Sequence, residues 1–422
     1  MVDESRKSAK ISKKARKGKS AASIGADPPS GMDVDEVPID AEDMGPAGGA
    51  GHQLTAAEYS SLSELDHIKQ RPNIHIGSIV SEEAVDGVLT FQADPKKSAK
   101  KLLSLEDRTL RVVPGFQKLA REVFENAFDA GLRDDSVTQV TIELRDDSYV
   151  VENNGMGITT ERHATTGKVV VSMVFFDLRT SSNYTSDRGE SIGQNGLGVK
   201  LVSAFAKRVK VTNCDQARKM RFVQESRDGL THVTEPKISP LPEKKHGSVR
   251  VEVWPELTRF FGESTSTIPQ DELMALERAA LDMAADSRLR VVLVRKWGGK
   301  DERVVLSPYV KKFADYAKLI LGSDAPMHVL EQDNGLKAAF SATSGEPRLV
   351  SLANGARTSQ GGSHLDSALH RAVELMKESV SSGRSTRKSS KLSKREMPYF
   401  EFTMVVCPIR ISNTHGYACL IQ

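Results

Sequence analysis

Two features of the sequence combine residue types that are able to act on a phosphate ester. Glu122, Asn126 and Asp129 follow one another at intervals of four and three residues, which places them in one polar stripe if the segment is helical. A glycine-rich run over residues 193–200 ends in Lys200 and leads into an apolar segment. A glycine-rich loop that opens a helix presents backbone N–H groups and the positive end of the helix dipole to an anion. Each feature alone also fits a solvated helix face or a plain turn.

Alternating helix and strand patterns supply the elements that would carry these residues. Leu119, Val123 and Ala127 lie at helical spacing, so we predict a helix over residues 117–132. Two β-rich runs predict a hairpin, and its second strand leads into a sharp loop that contains Asn153. Further predicted elements are the hairpin strands at 137–144 and 148–152, a sheet over 213–253, a helix over 271–286, and strands near 291–295, 336–342 and 399–406.

Length and composition limit the function classes. The chain has 422 residues, which corresponds to two or three globular units. Cys214, Cys407 and Cys419 are too few and too scattered for a disulfide framework or a four-ligand zinc site, and this pattern indicates a reducing compartment. The longest apolar stretches are shorter than the roughly 20 residues that a membrane helix needs. We therefore expect no membrane partner.

Charge is distributed unevenly along the chain. The formal net charge is +3, yet the first 20 residues hold eight Lys or Arg residues, and acidic residues collect between positions 27 and 43. Residues 1–54 therefore have the composition of a disordered tail. Its basic run at 10–17 fits a nuclear address, a nucleic-acid contact or a solvated tail with no specific reader. A second basic stretch at 379–395 fits a DNA contact and a mobile loop equally well.

Three motifs in chain order resemble the nucleotide site of the GHKL ATPases. They are Glu122 with Asn126 on a helix, Asn153 with two glycines after a strand, and the glycine loop at 193–200. Further blocks narrow the resemblance to eukaryotic-type DNA topoisomerase II, and these are the runs at 67–78, 178–184, 193–200, 253–260 and 361–366. The resemblance extends from about residue 59 to residue 415, and it covers only the N-terminal ATPase and transducer regions of that family.

The resemblance implies a fold and a domain order. The fold class would be α+β, with a GHKL (Bergerat-type) ATP-binding sandwich followed by an α/β transducer domain. The tail would span residues 1–54, the ATPase domain with an N-terminal dimerisation arm 55–265, and the transducer 266–422. The resemblance also implies ATP and Mg²⁺ as cofactors, DNA as a partner, a homodimer joined through the N-terminal gate, and a nuclear location.

The resemblance assigns roles residue by residue. Glu122 would be the general base for the attacking water, Asn126 would coordinate Mg²⁺, and Asn153 would read the adenine amino group. Tyr59 would reach from its arm into the nucleotide site of the neighbouring subunit. Contacts with ribose and phosphates would come from Ser181, Ser182 and Asn183, from the loop residues Gly193, Gln194, Asn195, Gly196, Leu197, Gly198 and Val199, and from the cation of Lys200.

The sequence also departs from the family. Asn413, Thr414 and His415 stand where the transducer of the family has Gln, Thr and a Lys that meets the γ-phosphate. An imidazole is shorter than a lysine side chain, and at its unperturbed pKa it is mostly neutral at pH 7. Asn73 and His75 replace the usual Asp and Tyr.

Only seven residues follow His415, so we expect these residues to contain no DNA-cleaving module. The chain would then be a fragment of a full topoisomerase II, or a free-standing subunit whose cleavage half lies on another chain.

Together the motifs predict the ATP-binding and hydrolysing clamp of a type II DNA topoisomerase. This clamp would drive the passage of one duplex through a transient double-strand break in another. Two alternatives remain. One is a relic that binds nucleotide or DNA without turnover, which the histidine at position 415 favours. The other is a different GHKL clamp, MutL-like or chaperone-like, and the runs at 180–184 and 361–364 argue against it.

Overall fold

The structure is a computed structural model that describes residues 63–93, 101–178, 198–322, 327–331, 337–342, 349–353, 356–357 and 402–407. The tail predicted at 1–54 and the basic stretch at 379–395 lie outside these residues.

The helices and strands of the described residues are numbered in chain order. The α-helices are α1 (Glu64–Gln70), α2 (Pro72–His75), α3 (Pro114–Arg133), α4 (Val170–Phe176), α5 (Gly198–Ala204), α6 (Leu257–Phe261), α7 (Gln270–Asp286) and α8 (Phe313–Leu321). The strands are β1 (Glu82–Ala93), β2 (Lys101–Val112), β3 (Gln139–Arg145), β4 (Tyr149–Asn154), β5 (Ala206–Asp215), β6 (Met220–Arg227), β7 (His232–Val233), β8 (Lys237–Pro240), β9 (Ser248–Pro255), β10 (Arg290–Lys296), β11 (Glu302–Val305), β12 (His328–Glu331), β13 (Lys337–Ala342), β14 (Leu349–Ala353), β15 (Ala356–Arg357) and β16 (Phe402–Cys407).

The elements that carry the first two motifs agree with the sequence patterns. The helix predicted at 117–132 is confirmed as α3, which begins earlier, at Pro114. Proline is favoured in the first helical turn because its missing N–H would have no partner there. The predicted hairpin is confirmed as the antiparallel pair β3 and β4, in which Val140 lies opposite Asn153. The helix predicted at 271–286 is confirmed as α7.

A nine-stranded sheet forms the centre of the protein. Its strand order is β11, β10, β3, β4, β9, β5, β6 and β7, and β8 also pairs with β6. Most neighbours are antiparallel, but β10 runs parallel to β3. Because β10 and β11 follow residue 265, this sheet includes strands from both sides of the boundary predicted at 265/266. The division into an ATPase and a transducer domain there stays a prediction.

The two faces of this sheet differ in chemistry. Along β3, Val140, Ile142 and Leu144 are fully buried, whereas the residues between them are partly exposed. The buried side chains join those of α3, α5 and α7 in one apolar cluster. The opposite face carries ion pairs, such as Arg250 with Glu152 at 3.1 Å. Period-two burial of this kind is typical of a sheet with one face covered by helices.

Two smaller sheets complete the described fold. Strands β1 and β2 form an antiparallel pair, and β12, β13, β16, β14 and β15 form a five-stranded sheet in which β14 is parallel to β16. Ala339, Val350 and Leu352 connect this sheet to the central apolar cluster. The architecture is α+β, as the sequence predicts. Within the described residues, every helix is too short or too polar to cross a lipid bilayer.

Candidate functional site

Helix α3 presents two of the predicted site residues on the same side. Its apolar seam, which includes Val123 and Ala127, is buried in the core. Glu122 and Asn126 are partly exposed on the adjacent stripe. Asn126 Nδ2 donates a hydrogen bond to the main-chain oxygen of Glu122 at 2.5 Å, so the amide is held one turn after the carboxylate. Asp129, the third member of the predicted stripe, is buried.

The carboxylate of Glu122 lies against the first residue of α5. A Cβ atom added at Gly198 would collide with Glu122 Oε2 and would lie 2.6 Å from its Cδ. Glycine at this position therefore allows α3 and α5 to approach each other with the carboxylate between them. Burial raises the pKa of Glu122, the charge of Asp129 adds to this rise, and the cation of Lys118 opposes it.

Helix α5 carries the predicted phosphate-binding lysine. Lys200 is buried, and burial lowers its pKa to about 8, while the negative charges of Asp177 and Glu64 limit the drop. Val199 is packed in the apolar core, so its contribution to a ligand would come from its main chain. Lys200 thus lies in the first turn of α5, whose first residue contacts Glu122, and both ionisable groups have pKa values displaced toward neutrality.

Strand β4 carries Asn153, the residue predicted to read the adenine amino group, near its C-terminal end. The side chain is buried, and Nδ2 donates to the main-chain oxygen of Asn154 at 2.9 Å. Asn154 in turn accepts hydrogen bonds from the main-chain N–H groups of Thr138 and Gln139 at 2.9 Å each, which ties the end of β4 to the start of β3. The amide of Asn153 is therefore held by a strand end that is itself fixed.

The two glycines after Asn153 are required by the shape of the turn. Gly155 has φ of 117° and Gly157 has φ of 75°, which are conformations that residues with a side chain rarely adopt. A Cβ on Gly157 would also collide with the carbonyl oxygen of Cys214, and one on Gly155 would lie 2.5 Å from Val137 Cγ2. The sharp loop predicted from the sequence is confirmed as a turn packed tightly against β5.

Two charged residues near Glu122 were missed in the sequence analysis. Lys118 lies four residues before Glu122, and its Nζ donates to the main-chain oxygen of His75 at 3.0 Å. Glu125 lies three residues after Glu122. Burial raises the pKa of Glu125 to about 7, with a further contribution from the charge of Glu122. Their helical spacing to Glu122 was visible in the sequence, but the burial that raises the pKa values of Glu122 and Glu125 was not.

The donor set near Asn126 fits a magnesium ion that is shared with phosphates. Among the described residues, no cluster of three or more His, Cys, Asp or Glu side chains is placed to hold a metal. Asn126 engages its amide nitrogen with Glu122, which leaves its amide oxygen as the group suited to a hard cation. Mg²⁺ is commonly held by one or two side chains together with substrate phosphates and water. Asn126 could serve as such a single ligand.

The remaining predicted site residues lie outside the described part of the chain. These are Tyr59, Ser181, Ser182, Asn183, Gly193, Gln194, Asn195, Gly196, Leu197, Asn413, Thr414 and His415. Of the predicted set, the described residues thus bring together Glu122, Asn126, Gly198 and Lys200 around α3 and α5, with Asn153 at the end of β4.

Comparison with known proteins gives consistent relatives. No protein-family model matches the sequence. DNA topoisomerase 2 of Candida albicans is 25% identical over 369 residues, which are 83% of this chain and 24% of that protein. A putative mitochondrial DNA topoisomerase 2 of Caenorhabditis elegans is 30% identical over 334 residues, which are 78% of this chain and 27% of that protein. The chain thus spans about a quarter of the length of these curated relatives.

Solved structures confirm the fold class. The ATPase region of Saccharomyces cerevisiae topoisomerase II matches with a TM-score of 0.66 at 24% identity, covering 83% of this chain and 85% of that one. The ATPase and transducer domains of Balamuthia mandrillaris DNA topoisomerase II match with a TM-score of 0.67 at 23% identity, covering 84% and 85%. The ATPase domain of Thermus thermophilus gyrase B matches with a TM-score of 0.54 at 20% identity, covering 81% and 80%. The predicted GHKL sandwich is therefore confirmed as the fold.

Proposed function

The chain is related to the N-terminal ATPase and transducer region of eukaryotic-type DNA topoisomerase II, and on that premise we propose that it is an ATP-binding and ATP-hydrolysing clamp. The observation that carries the proposal is the position of Glu122. Its carboxylate is partly buried, lies against Gly198 at the start of α5, and has a pKa that burial raises. A general base works best when its pKa approaches the operating pH, and the start of a helix favours bound phosphate.

In this proposal Glu122 takes a proton from the attacking water. Glu122 lies on α3, whose apolar seam is packed in the core, so the main chain that carries the carboxylate is held in place before substrate binds. Burial raises the pKa of Glu122, and the nearby cation of Lys118 opposes this rise and so favours the ionised carboxylate. Deprotonated Glu122 is the active form of the base.

Asn126 would hold Mg²⁺ through its amide oxygen. When bound, the ion would neutralise the charge that develops on the phosphates. The chain's contribution is to aim the amide, which the hydrogen bond from Nδ2 to the main-chain oxygen of Glu122 does. Asn153 would read the adenine amino group with its side-chain oxygen, since its nitrogen is engaged by Asn154.

The remaining contacts follow from the family resemblance. Lys200 would place a cation near the terminal phosphate. Ser181, Ser182 and Asn183 would contact ribose and phosphate, and the amides of residues 193–199 would surround the triphosphate. Tyr59 would cross into the neighbouring subunit, which makes the working unit a homodimer. Asn413, Thr414 and His415 would approach the γ-phosphate from the transducer.

At the level of the whole assembly, we propose that ATP closes two subunits around a DNA segment and that hydrolysis reopens them. Such coupling requires that ATP bind the closed dimer more tightly than the open state. The clamp would gate strand passage performed with a DNA-cleaving module, which a separate subunit would supply if it is not part of the same protein. We propose a nuclear location, although the name of the Caenorhabditis elegans relative assigns that protein to mitochondria.

The test is steady-state ATP turnover of the purified chain with and without duplex DNA. We expect turnover that Glu122→Gln lowers by about 10²- to 10⁴-fold, which is the usual contribution of general base catalysis. Glu125→Gln, the same substitution one turn later, should keep turnover within about tenfold, because the three atoms nearest to a Cβ on Gly198 all belong to Glu122. Equal turnover in the wild type and Glu122→Gln would contradict the proposal.

A second candidate function is nucleotide binding without hydrolysis. It is favoured by one observation, the histidine at position 415 in place of the family's lysine. In that case the wild type would bind ATP but turn it over no faster than Glu122→Gln. His415→Lys would then raise turnover, and an unchanged rate would count against this residue as the cause.

A further inference from the structure

We infer that Asn213, Asp215 and Thr160 are positioning residues of the part of the site that would bind the adenine base, here called the base end. Side chains of β5 hold the segment that follows the Gly155–Gly157 turn, and this contact, here called the β5 clamp, consists of Asn213 with Ile158 and Asp215 with Thr160. The inference deepens the proposed function and rests on it, because the clamp would act through the turn next to Asn153.

The first half of the β5 clamp is the side-chain amide of Asn213, whose oxygen and nitrogen both form hydrogen bonds with Ile158. Asn213 is completely buried, its Oδ1 accepts a hydrogen bond from Ile158 N at 2.8 Å, and its Nδ2 donates to Ile158 O at 2.8 Å. Asn153 and Asn213 both lie opposite Val249 of β9, so the two asparagines stand in one row across the sheet. The residue that holds the loop is therefore in register with the residue proposed to read the base.

The second half of the clamp repeats the arrangement two residues further along both segments. Asp215 Oδ2 accepts hydrogen bonds from Thr160 N at 2.8 Å and from Thr160 Oγ1 at 2.9 Å, and both residues are buried. Asp215 Oδ1 accepts from Arg218 N at 3.0 Å, so both oxygens of the carboxylate are engaged. Side chains at two-residue spacing thus replace the main-chain ladder that would normally join a segment to a strand.

The turn itself also contacts β5, next to the residues of the β5 clamp. Gln216 N donates to Met156 O at 2.9 Å, and Gly157 lies so close to the carbonyl of Cys214 that no side chain fits there. The turn is therefore held on β5 both before and after Gly157. Glu122 and Gly198 belong to α3 and α5, which are outside the β5 clamp. Loosening the β5 clamp should therefore weaken the binding of adenine and leave the hydrolysis step intact.

The experiment compares two variants that each remove one side-chain hydroxyl. Thr160→Val removes the hydroxyl that donates to Asp215 but keeps the N–H donor and the branched shape. Thr160→Ser restores the hydroxyl. Ser172→Ala is the control, because it deletes a hydroxyl that donates to Gln224 Oε1 at 2.7 Å, away from the turn. For each variant, kcat and KM for ATP and the thermal midpoint are measured.

We expect Thr160→Val to raise the KM for ATP about tenfold with kcat within about twofold, since a bond to a charged group is lost from a binding element. Thr160→Ser should return KM to within about threefold of the wild type, and Ser172→Ala should leave KM unchanged even if its midpoint falls. Equal KM values in Thr160→Val and Ser172→Ala, with turnover intact, would overturn the clamp alone. A wild type that neither binds nor hydrolyses ATP would instead overturn the proposed function and the inference with it.

Discussion

The two ends of the candidate site are built from different chemistry. At the base end, Asn153 and Asn213 are buried amides, and the segment that follows the turn after β4 is held on β5 by hydrogen bonds to the side chains of Asn213 and Asp215. At the phosphate end, Glu122 and Lys200 are ionisable groups whose pKa values burial displaces toward neutrality. The base end is thus held by hydrogen bonds within the chain, whereas the phosphate end presents two ionisable side chains.

This difference assigns separate roles to the two ends. Neutral amides with satisfied hydrogen bonds do not change with pH and need no rearrangement when a base binds. Buried ionisable groups respond to any charge that enters, because the free energy of their ionisation depends on it. We therefore expect substitutions at the base end to alter affinity and stability, and substitutions at the phosphate end to alter the pH dependence.

The strongest perturbation of the base end is Gly157→Ala. The new Cβ would collide with the carbonyl of Cys214, and φ of 75° would add backbone strain. We expect a loss of about 3 kcal/mol or more in unfolding free energy, measured by urea denaturation. Gly167→Ala is the matched control, because Gly167 has φ of 66° with nothing within 4 Å of its added Cβ, and it should lose about 1 kcal/mol. Equal losses would show that the contact with β5 contributes nothing.

An effect of similar size is expected where α7 supports α3. Glu272 is buried, accepts hydrogen bonds from Val113 N at 2.6 Å and Gln117 Nε2 at 2.6 Å, and its pKa is raised to about 7 by burial. The folded state then binds this proton more tightly than the unfolded state, so stability contributed by Glu272 decreases as pH rises from 4.5 to 7. Between these two pH values, the contribution of Glu272 to the free energy of unfolding should fall by about 3 kcal/mol.

Glu272→Gln should remove its own contribution from the slope of unfolding free energy against pH, whereas the contribution of Glu125, whose pKa burial also raises to about 7, should remain. Glu302→Gln is the control, because the pKa of Glu302 is shifted in the opposite direction: hydrogen bonding to Lys101 lowers it. That substitution should preserve the decrease of stability between pH 4.5 and 7. The role assigned to Glu272 would be contradicted if its variant kept the wild-type slope.

The smallest expected effect is a loss of ATP affinity at alkaline pH, where Lys200 at the phosphate end loses its charge. Because the pKa of Lys200 is lowered to about 8, its cation is lost at higher pH. ATP affinity should fall by up to about tenfold between pH 8 and pH 9, measured by titration calorimetry. Lys200→Met should bind more weakly at pH 7 and show no such decrease. A wild-type affinity that stays constant to pH 9.5 would remove Lys200 from the phosphate contacts.

Local patterns in the sequence predicted the elements that carry the site. The spacing of Leu119, Val123 and Ala127 identified α3, and two β-rich runs identified the β3–β4 hairpin, because both signals depend on nearby residues. The β5 clamp was not predicted. It joins Asn213 to Ile158 across 55 positions of the sequence, and no local period marks such a pairing.

Burial was equally inaccessible from the sequence. Glu122, Glu125 and Lys118 could be placed on one helix from their spacing, but the pKa shifts of the two carboxylates arise from the tertiary packing around them. The roles given to Tyr59 and to residues 413–415 stay predictions.

The central claim is that the chain holds an adenine nucleotide between a fixed base end and a charged phosphate end. The most direct test is equilibrium binding of Mg²⁺–ATP to Glu122→Gln, which should not consume the ligand, with GTP as competitor. We predict saturable binding in which ATP is preferred over GTP by about tenfold or more, as expected when a buried amide reads the base. Absence of saturable ATP binding, or equal competition by GTP, would contradict the account.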